Sequence, residues 1–251
     1  MPDASMVWQQ VRRSLAIARK DIRIYYSKGP VVIFGILFPV FLFLAFTIGR
    51  HLTVDFMIPG FMGMVLFFTA TSISPIVVPW EAQARTLERL MSCPVWFETI
   101  IMGDILASFV FGIAISLVPI IIGLAMGVTI SSPFIFAIAV ILAAFCFAAL
   151  GNIFSIPPTN LPATVNMIAA VVKFPVVFIS GIFIPLNELP AWGQAIAYIS
   201  PLTYFTDMAR HSIQSEGHLP VYVDLLALFV FTVLFLTVAL VLHRRTMPKR
   251  I

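Results

Sequence analysis

Ile100 to Val128 reads IIMGDILASFVFGIAISLVPIIIGLAMGV, an apolar run whose single ionisable side chain is Asp104, near its start. At about 1.5 Å per residue, a helix of this length more than crosses the roughly 30 Å of hydrocarbon in a bilayer. Comparable runs lie at about 30–49, 57–80, 134–156, 164–185 and 222–242, so the expected fold class is an all-α integral membrane protein with six transmembrane helices. Composition agrees, since 61% of the 251 residues are apolar and 10% charged, and no water-soluble core of this size hides that much hydrocarbon. Pro39, Pro75, Pro119 and Pro175 fall inside these runs, where neighbouring helices can satisfy the freed carbonyls, so kinks are expected there.

The excess of positive charge sets the orientation. With the N-terminus inside, twelve of the fifteen Lys and Arg residues are cytoplasmic: six before the first span, two at 81–99 and four in the tail. Arg50 and Arg210 fall outside, and Lys173 sits within the fifth span. Both termini are therefore expected on the cytoplasmic side of a cell membrane, and nucleic acid is an unnecessary partner for the basic excess. The N-terminus interleaves charges through its first 28 residues, unlike a signal peptide. Residues 1–29 are expected to form a separate interface helix ahead of a single membrane domain over 30–251. Within that helix Val7, Val11, Leu15, Ala18, Ile22 and Tyr25 make an apolar stripe opposite Arg12, Arg13, Arg19, Lys20 and Arg23, a pattern suited to the headgroup layer of an anionic leaflet or to packing on protein.

Two further segments do not span. Residues 81–98, EAQARTLERLMSCPVWFE, predict a short amphipathic helix on the cytoplasmic side, ending near Pro94. Residues 186–220 are external yet too apolar in their first half for an ordinary loop, so Ala191 to Phe205 are expected as short broken helices dipping into the outer leaflet. Pro190 would start one, Pro201 mark the break, and Trp192, Tyr198 and Tyr204 sit at the interface.

No phosphate-binding loop, zinc-protease helix, nucleophile elbow or dinucleotide fingerprint occurs, so no catalytic residue and no bound cofactor are assigned. Cys93 and Cys146 form no metal or disulfide pattern, no metal site is expected, and His51, His211, His218 and His243 read as interfacial polar residues. Gly123 and Gly127 form a GxxxG that marks helix packing within one chain or between two. Lys173 should face protein, a watery cavity or an acidic partner, unless it snorkels to one surface; Asn152, Asn166 and Ser180 could line the same cavity or bond neighbouring backbones. No carboxylate falls deep in a span, which disfavours a proton-coupled carrier.

The stretch Arg85-Thr86-Leu87-Glu88-Arg89-Leu90, followed by Cys93-Pro94, resembles the GTLE-x-L…TP segment of ABC-2 type exporter permeases. The outer run Gly181 to Pro185, then Leu189-Pro190-Ala191-Trp192, then Ser200-Pro201-Leu202-Thr203-Tyr204 with Asp207 and Arg210, is similar to that family's G-x-x-x-P…LP-x-W…NPLTY…D…R ending. Arg85 stands where the family usually has Gly, and Ser200 where it usually has Asn. The resemblance implies two permease copies, as a homodimer or heterodimer, driven by separate ABC ATPase subunits that hold the ATP and Mg2+. It implies a coupling helix at 81–94, seated on the ATPase through Arg85 to Leu90, and an interface lever carrying Arg12, Arg19 and Arg23. It further implies an external gate over 186–211, with Pro185, Pro190, Trp192, Pro201 and Tyr204, and contact of spans two and five with their copies, which places Lys173, Asn166 and Asn152 near the pathway. The cargo would be hydrophobic or amphipathic: a drug, a lipid or a lipid-linked glycan. A stand-alone carrier or channel is the competing reading, and a lipid-modifying enzyme a third.

Overall fold

A computed structural model describes residues 4–26, 28–48, 53–157, 159–214 and 217–246, and every regular element among them is helical. Arg50, His51, Lys249 and Arg250, which entered the charge and histidine readings, lie outside these residues. In chain order the elements are α1 (Ala4–Tyr25), α2 (Gly29–Val32), a π-helical turn (Ile33–Leu37), α3 (Phe38–Thr47), α4 (Val54–Ser72) and α5 (Ser74–Gln83). Then follow α6 (Thr86–Met91), α7 (Phe97–Ala125), α8 (Pro133–Ile153), α9 (Pro162–Ile179), a 3-10 turn (Leu186–Glu188), α10 (Ala191–Ala197), α11 (Pro201–Gln214) and α12 (Val221–Thr246).

Among the described residues five helical stretches are long and apolar enough to cross a membrane: Val54–Gln83, Phe97–Ala125, Pro133–Ile153, Pro162–Ile179 and Val221–Thr246. The run expected at 30–49 differs, because it is three helical pieces with a shorter apolar core, Gly35–Ala45. Pro39 has no N–H to give the carbonyl of Gly35, and the chain widens into the π turn, where the Phe38 N–H reaches back five residues to Ile33 O. The run expected at 57–80 is likewise two helices meeting at Ile73, just ahead of Pro75. The fifth run stops at Ile179 instead of 185: Ser180 ends the helix and Gly181, at φ +76°, turns the chain back.

Packing centres on α4. Its 58–72 stretch is buried throughout, and Phe67, Phe147 and Phe205 bring α4, α8 and α11 together through edge-to-face contacts at 5.2 and 6.4 Å between centroids. Gly151 lets the α8 backbone touch α4: a Cβ there would stand 2.9 Å from the Thr71 Cα. The α4 part of the second span is therefore enclosed by the chain's own helices. Of the two spans expected to meet their copies, α9 is the one with an open apolar side, where Met167 and Val171 are both more than two-thirds exposed.

Candidate functional site

At one end of the α4–α5 pair the chain turns through Arg85 into α6. Arg85 adopts φ 52°, ψ 26°, and among the described residues it is the one non-glycine at positive φ. Side chains clash with the backbone there, at a cost of about 1–2 kcal/mol, so the conformation is forced by its neighbours. Thr86 Oγ1 donates to Glu81 O at 3.2 Å, and Leu87 is fully buried with Val78, Ile101, Ile105 and Ala149. Arg85, Thr86, Glu88 and Arg89 are exposed, while Leu90 is half-buried. The expected helix at 81–94 is thus shorter: residues 81–83 belong to α5, and Ser92 to Pro94 form the turn that follows α6. Leu87 is an anchor of that segment and not part of its outer surface.

α1 grips the same region. Gln10 Oε1 accepts from the Trp96 N–H at 3.2 Å and the Thr99 hydroxyl at 2.9 Å, and Arg13 Nη1 donates to Pro94 O. The face turned to protein is Gln10, Ser14, Ile17, Ala18, Asp21 and Tyr25, whereas Val7, Val11 and Leu15 of the expected apolar stripe are exposed beside Arg12, Arg19 and Arg23. The helical period was read correctly, but polar side chains that bond across the contact displaced it by about one position. Gly103 permits this approach, since a Cβ there would come within 2.6 Å of Ile17 Cγ2 and 3.1 Å of Ser14 O.

Beneath this contact lies a cluster that sequence reading missed. Lys20 Nζ meets Asp21 Oδ1 at 2.9 Å and donates to Glu81 Oε1, while Asp104 of α7 faces Asp21; all three carboxyl groups are buried. Burial raises the Asp21 carboxyl above the ordinary range, against the opposing pull of Lys20. Lys20 is itself partly desolvated, yet the two carboxylates outweigh that and raise its pKa. Tyr25 stacks on Trp80 at 5.5 Å, and Lys28 covers the Trp80 ring at 4.3 Å, completing the join between α1 and α5.

Ten residues before Arg85, Pro75 withholds an N–H from the Thr71 carbonyl, four positions back. Lys173 of α9 fills that vacancy: its Nζ donates to Thr71 O at 2.8 Å and lies 3.4 Å from Ser72 Oγ. On the other side of the break Asn152 Nδ2 donates to Ser74 Oγ at 3.0 Å. Lys173 is 5% exposed and does not snorkel. It lines a cavity of about 490 Å3 that it shares with Asn166, Phe38, Phe68, Trp80 and Phe174. Asn152 is not in this lining, so the structure brings together two of the three residues assigned to a pathway and leaves the third at the break. His243 is buried, with Nε2 2.8 Å from Ser155 Oγ, so it ties α12 to the end of α8.

At the opposite end, Pro190 precedes α10 and Pro201 opens α11. Ser200 caps α11 through the Leu202 N–H at 3.2 Å and meets Ser180 Oγ at 2.8 Å. Arg210 Nη2 donates to Gly181 O at 2.6 Å and stacks over Phe56 at 4.7 Å; burial lowers its pKa, with Asp207 and Glu188 opposing. Asp207 accepts the His218 and Leu219 N–H groups at 2.9 and 2.7 Å. Tyr204 donates to Tyr198 O at 2.7 Å, and Trp192 is exposed. Pro185, Asp207 and Arg210 border a cavity of about 530 Å3 at this end.

A family model described as "ABC-2 type transporter" matches residues 8–213. The chain belongs to the ABC-2 type transporter family. The match takes in the features above except the first turn of α1 with Val7, the loop partners of Asp207, and α12. The daunorubicin resistance ABC transporter permease protein DrrB1 of Streptomyces coeruleorubidus is 22% identical over 155 residues, which is 59% of this chain and 51% of that protein. The chain thus spans about half the length of the curated relative it matches.

Family membership gives the two departures in this ABC-2 chain a physical meaning. A glycine before Thr86 would enter the left-handed region freely, and Arg85 enters it under strain. Serine replaces asparagine as the cap of α11 with the same bond to the helix N-terminus. The acid cluster carried a weaker trace in the sequence: Asp21 interrupts a basic run, and Asp104 and Glu81 stand at the ends of apolar ones.

Proposed function

We propose that this chain is the pathway-forming subunit of an ATP-driven exporter of hydrophobic or amphipathic molecules, working with a second permease copy and separate ATPase subunits that bind ATP and Mg2+. The 29–47 segment is the first of six spans, and its helical rise gives about 28 Å, close to the hydrocarbon thickness; both termini then lie on the cytoplasmic side. The exposed apolar residues of α1, beside its arginines, suit lipid at the inner surface. The open face of α9 suits a second copy, and Trp192 with Tyr204 an outer gate.

One observation carries the reading. α6 exposes Arg85, Thr86, Glu88 and Arg89 while Leu87 fixes it to the bundle, and α1 clamps the turn that follows. A small charged edge held rigidly in this way can receive a push from a bound ATPase and pass it to long helices. The test is flux in vesicles containing the chain with and without its ATPase partner. Uphill flux with the chain alone would refute the proposal. Such a result would favour a stand-alone carrier, for which the buried Asp21, Glu81 and Asp104 are the supporting observation. Those groups, however, lie in the α1 contact and not along the Lys173 cavity.

A further inference from the structure

The cavity between α9 and the α4–α5 pair holds a cation without a counter-charge. Phe38, Phe68, Ile76, Trp80 and Phe174 make its walls, and Lys173 and Asn166 are its main polar groups. An ammonium has three N–H donors. Thr71 O takes one and Ser72 Oγ lies within reach of a second, which leaves the third without a partner among the described residues. Among those residues the ion pairs belong to Lys20, and no carboxylate stands near Lys173. A buried ammonium is costly unless an anion joins it, and hydrogen bonds between ions are about twice as strong as neutral ones. The cavity volume, about 490 Å3, lies within the range that encloses a small-molecule ligand, and its lining is aromatic and aliphatic.

We propose that this cavity binds an amphiphile with a single anionic head, a carboxylate, sulfonate or phosphate. The head sits at Lys173 Nζ and the apolar body lies against Phe38, Phe68, Trp80 and Phe174. The cap on Thr71 O fixes Nζ at the cavity wall, so one side chain serves both the proline break and the ligand. The inference deepens the export reading by naming a cargo class, and it rests on that reading only in treating the occupant as cargo. The anionic head could belong to a membrane lipid or to a free amphiphile.

The experiment is equilibrium binding of dansyl-labelled undecanoic acid, and of the matching alcohol, to the full chain in phosphatidylcholine nanodiscs. It is read by energy transfer from tryptophan and assigned by loss of the signal in Trp80→Phe. The acid is expected to bind at least about tenfold more tightly than the alcohol. That preference should persist in Lys173→Arg and vanish in Lys173→Met. If Lys173→Met does not fold, the double variant Pro75→Ala/Lys173→Met, in which a restored N–H can serve the Thr71 carbonyl, gives the same comparison. Adding phosphatidylglycerol to the discs separates the sources: displacement of the acid marks a lipid headgroup, and no displacement marks a free amphiphile. Equal affinity for acid and alcohol in the unaltered chain overturns the proposal, as does a preference that survives without Lys173. ATP-driven flux is measured separately, so absence of a charge preference in the unaltered chain with flux intact defeats this inference alone, and binding without ATP-driven flux defeats the export reading alone.

Discussion

If Lys173 replaces the hydrogen bond that Pro75 removes, the two residues must be energetically coupled across their separation in sequence. Lys173→Met leaves the Thr71 carbonyl buried and unpaired, since Thr71 is fully enclosed. An orphaned buried acceptor costs about 1–3 kcal/mol, whereas measured side-chain hydrogen bonds between membrane helices average about 0.6 and reach about 1.7 kcal/mol. The Lys173 bond has a charged donor and a length of 2.8 Å, and the Ser72 contact at 3.4 Å adds little, so about 1.5 kcal/mol is the expected size. The same substitution removes a buried ammonium, which relieves a desolvation penalty of opposite sign. The stability of Lys173→Met alone is therefore a poor test.

A double-mutant cycle with Pro75→Ala isolates the bond. The substitution restores an N–H four residues after Thr71, so Lys173→Met should cost about 1–1.5 kcal/mol less in that background, roughly a tenfold difference in the folding equilibrium. Reversible unfolding of the full chain in mixed micelles with increasing dodecyl sulfate gives the four free energies. Additivity within about 0.3–0.5 kcal/mol would show that Lys173 does not serve the proline break.

Other perturbations reach the remaining joints. Arg85→Gly should stabilise the chain by about 1 kcal/mol in the same unfolding assay, because glycine enters the left-handed region without a clash. Gly103→Ala should loosen α1 from α7, costing about 1–3 kcal/mol and exposing the 4–25 helix to protease, since the new methyl meets Ile17 and Ser14 O. The folded Asp21 carboxyl has a raised pKa, so its contribution to α1 docking is fully present below the unfolded value of about 3.9 and is lost as pH rises through the higher folded one. Hydrogen exchange of α1 should therefore quicken over that window, and Asp21→Asn should flatten the change. Glu88→Ala, on the exposed edge of α6, should lower ATP-driven flux several-fold with insertion and stability unchanged; intact flux would count against ATPase docking there.

The apolar runs were legible in the sequence because their length is set by the bilayer, a one-dimensional constraint that needs no tertiary contact. The proline joints were legible as joints, since a missing N–H is a property of one residue. The groups that occupy the vacancies were not: Lys173 lies about a hundred positions from Thr71, and nothing local to either residue reports the other. The acid cluster was hidden for a similar reason. Asp21 and Glu81 stand near the ends of α1 and α5 and Asp104 two turns inside α7, and only the approach of α1 permitted by Gly103 makes them neighbours. The face of α1 failed differently, because a stripe chosen by hydrophobicity passed over Gln10, Ser14 and Asp21, which are buried through hydrogen bonds or charge.

α5 ties these observations to the proposed mechanism. It is ten residues long, about 15 Å, and stands between two joints: the left-handed turn at Arg85 and the proline break at Pro75. Glu81 near one end holds α1 through Lys20; Ser74 and the Thr71 carbonyl at the other are held by Asn152 and Lys173. On the export reading, a force applied to α6 acts on a short rigid rod whose far end is the wall of the Lys173 cavity. Hydrogen bonds to the side chains of Lys173 and Asn152 can lengthen or exchange partners more readily than the i to i−4 ladder of an unbroken helix. Pro75 is therefore where motion at the inner surface would become a change in cavity shape, and straightening that break by Pro75→Ala should reduce flux even as it stabilises the fold.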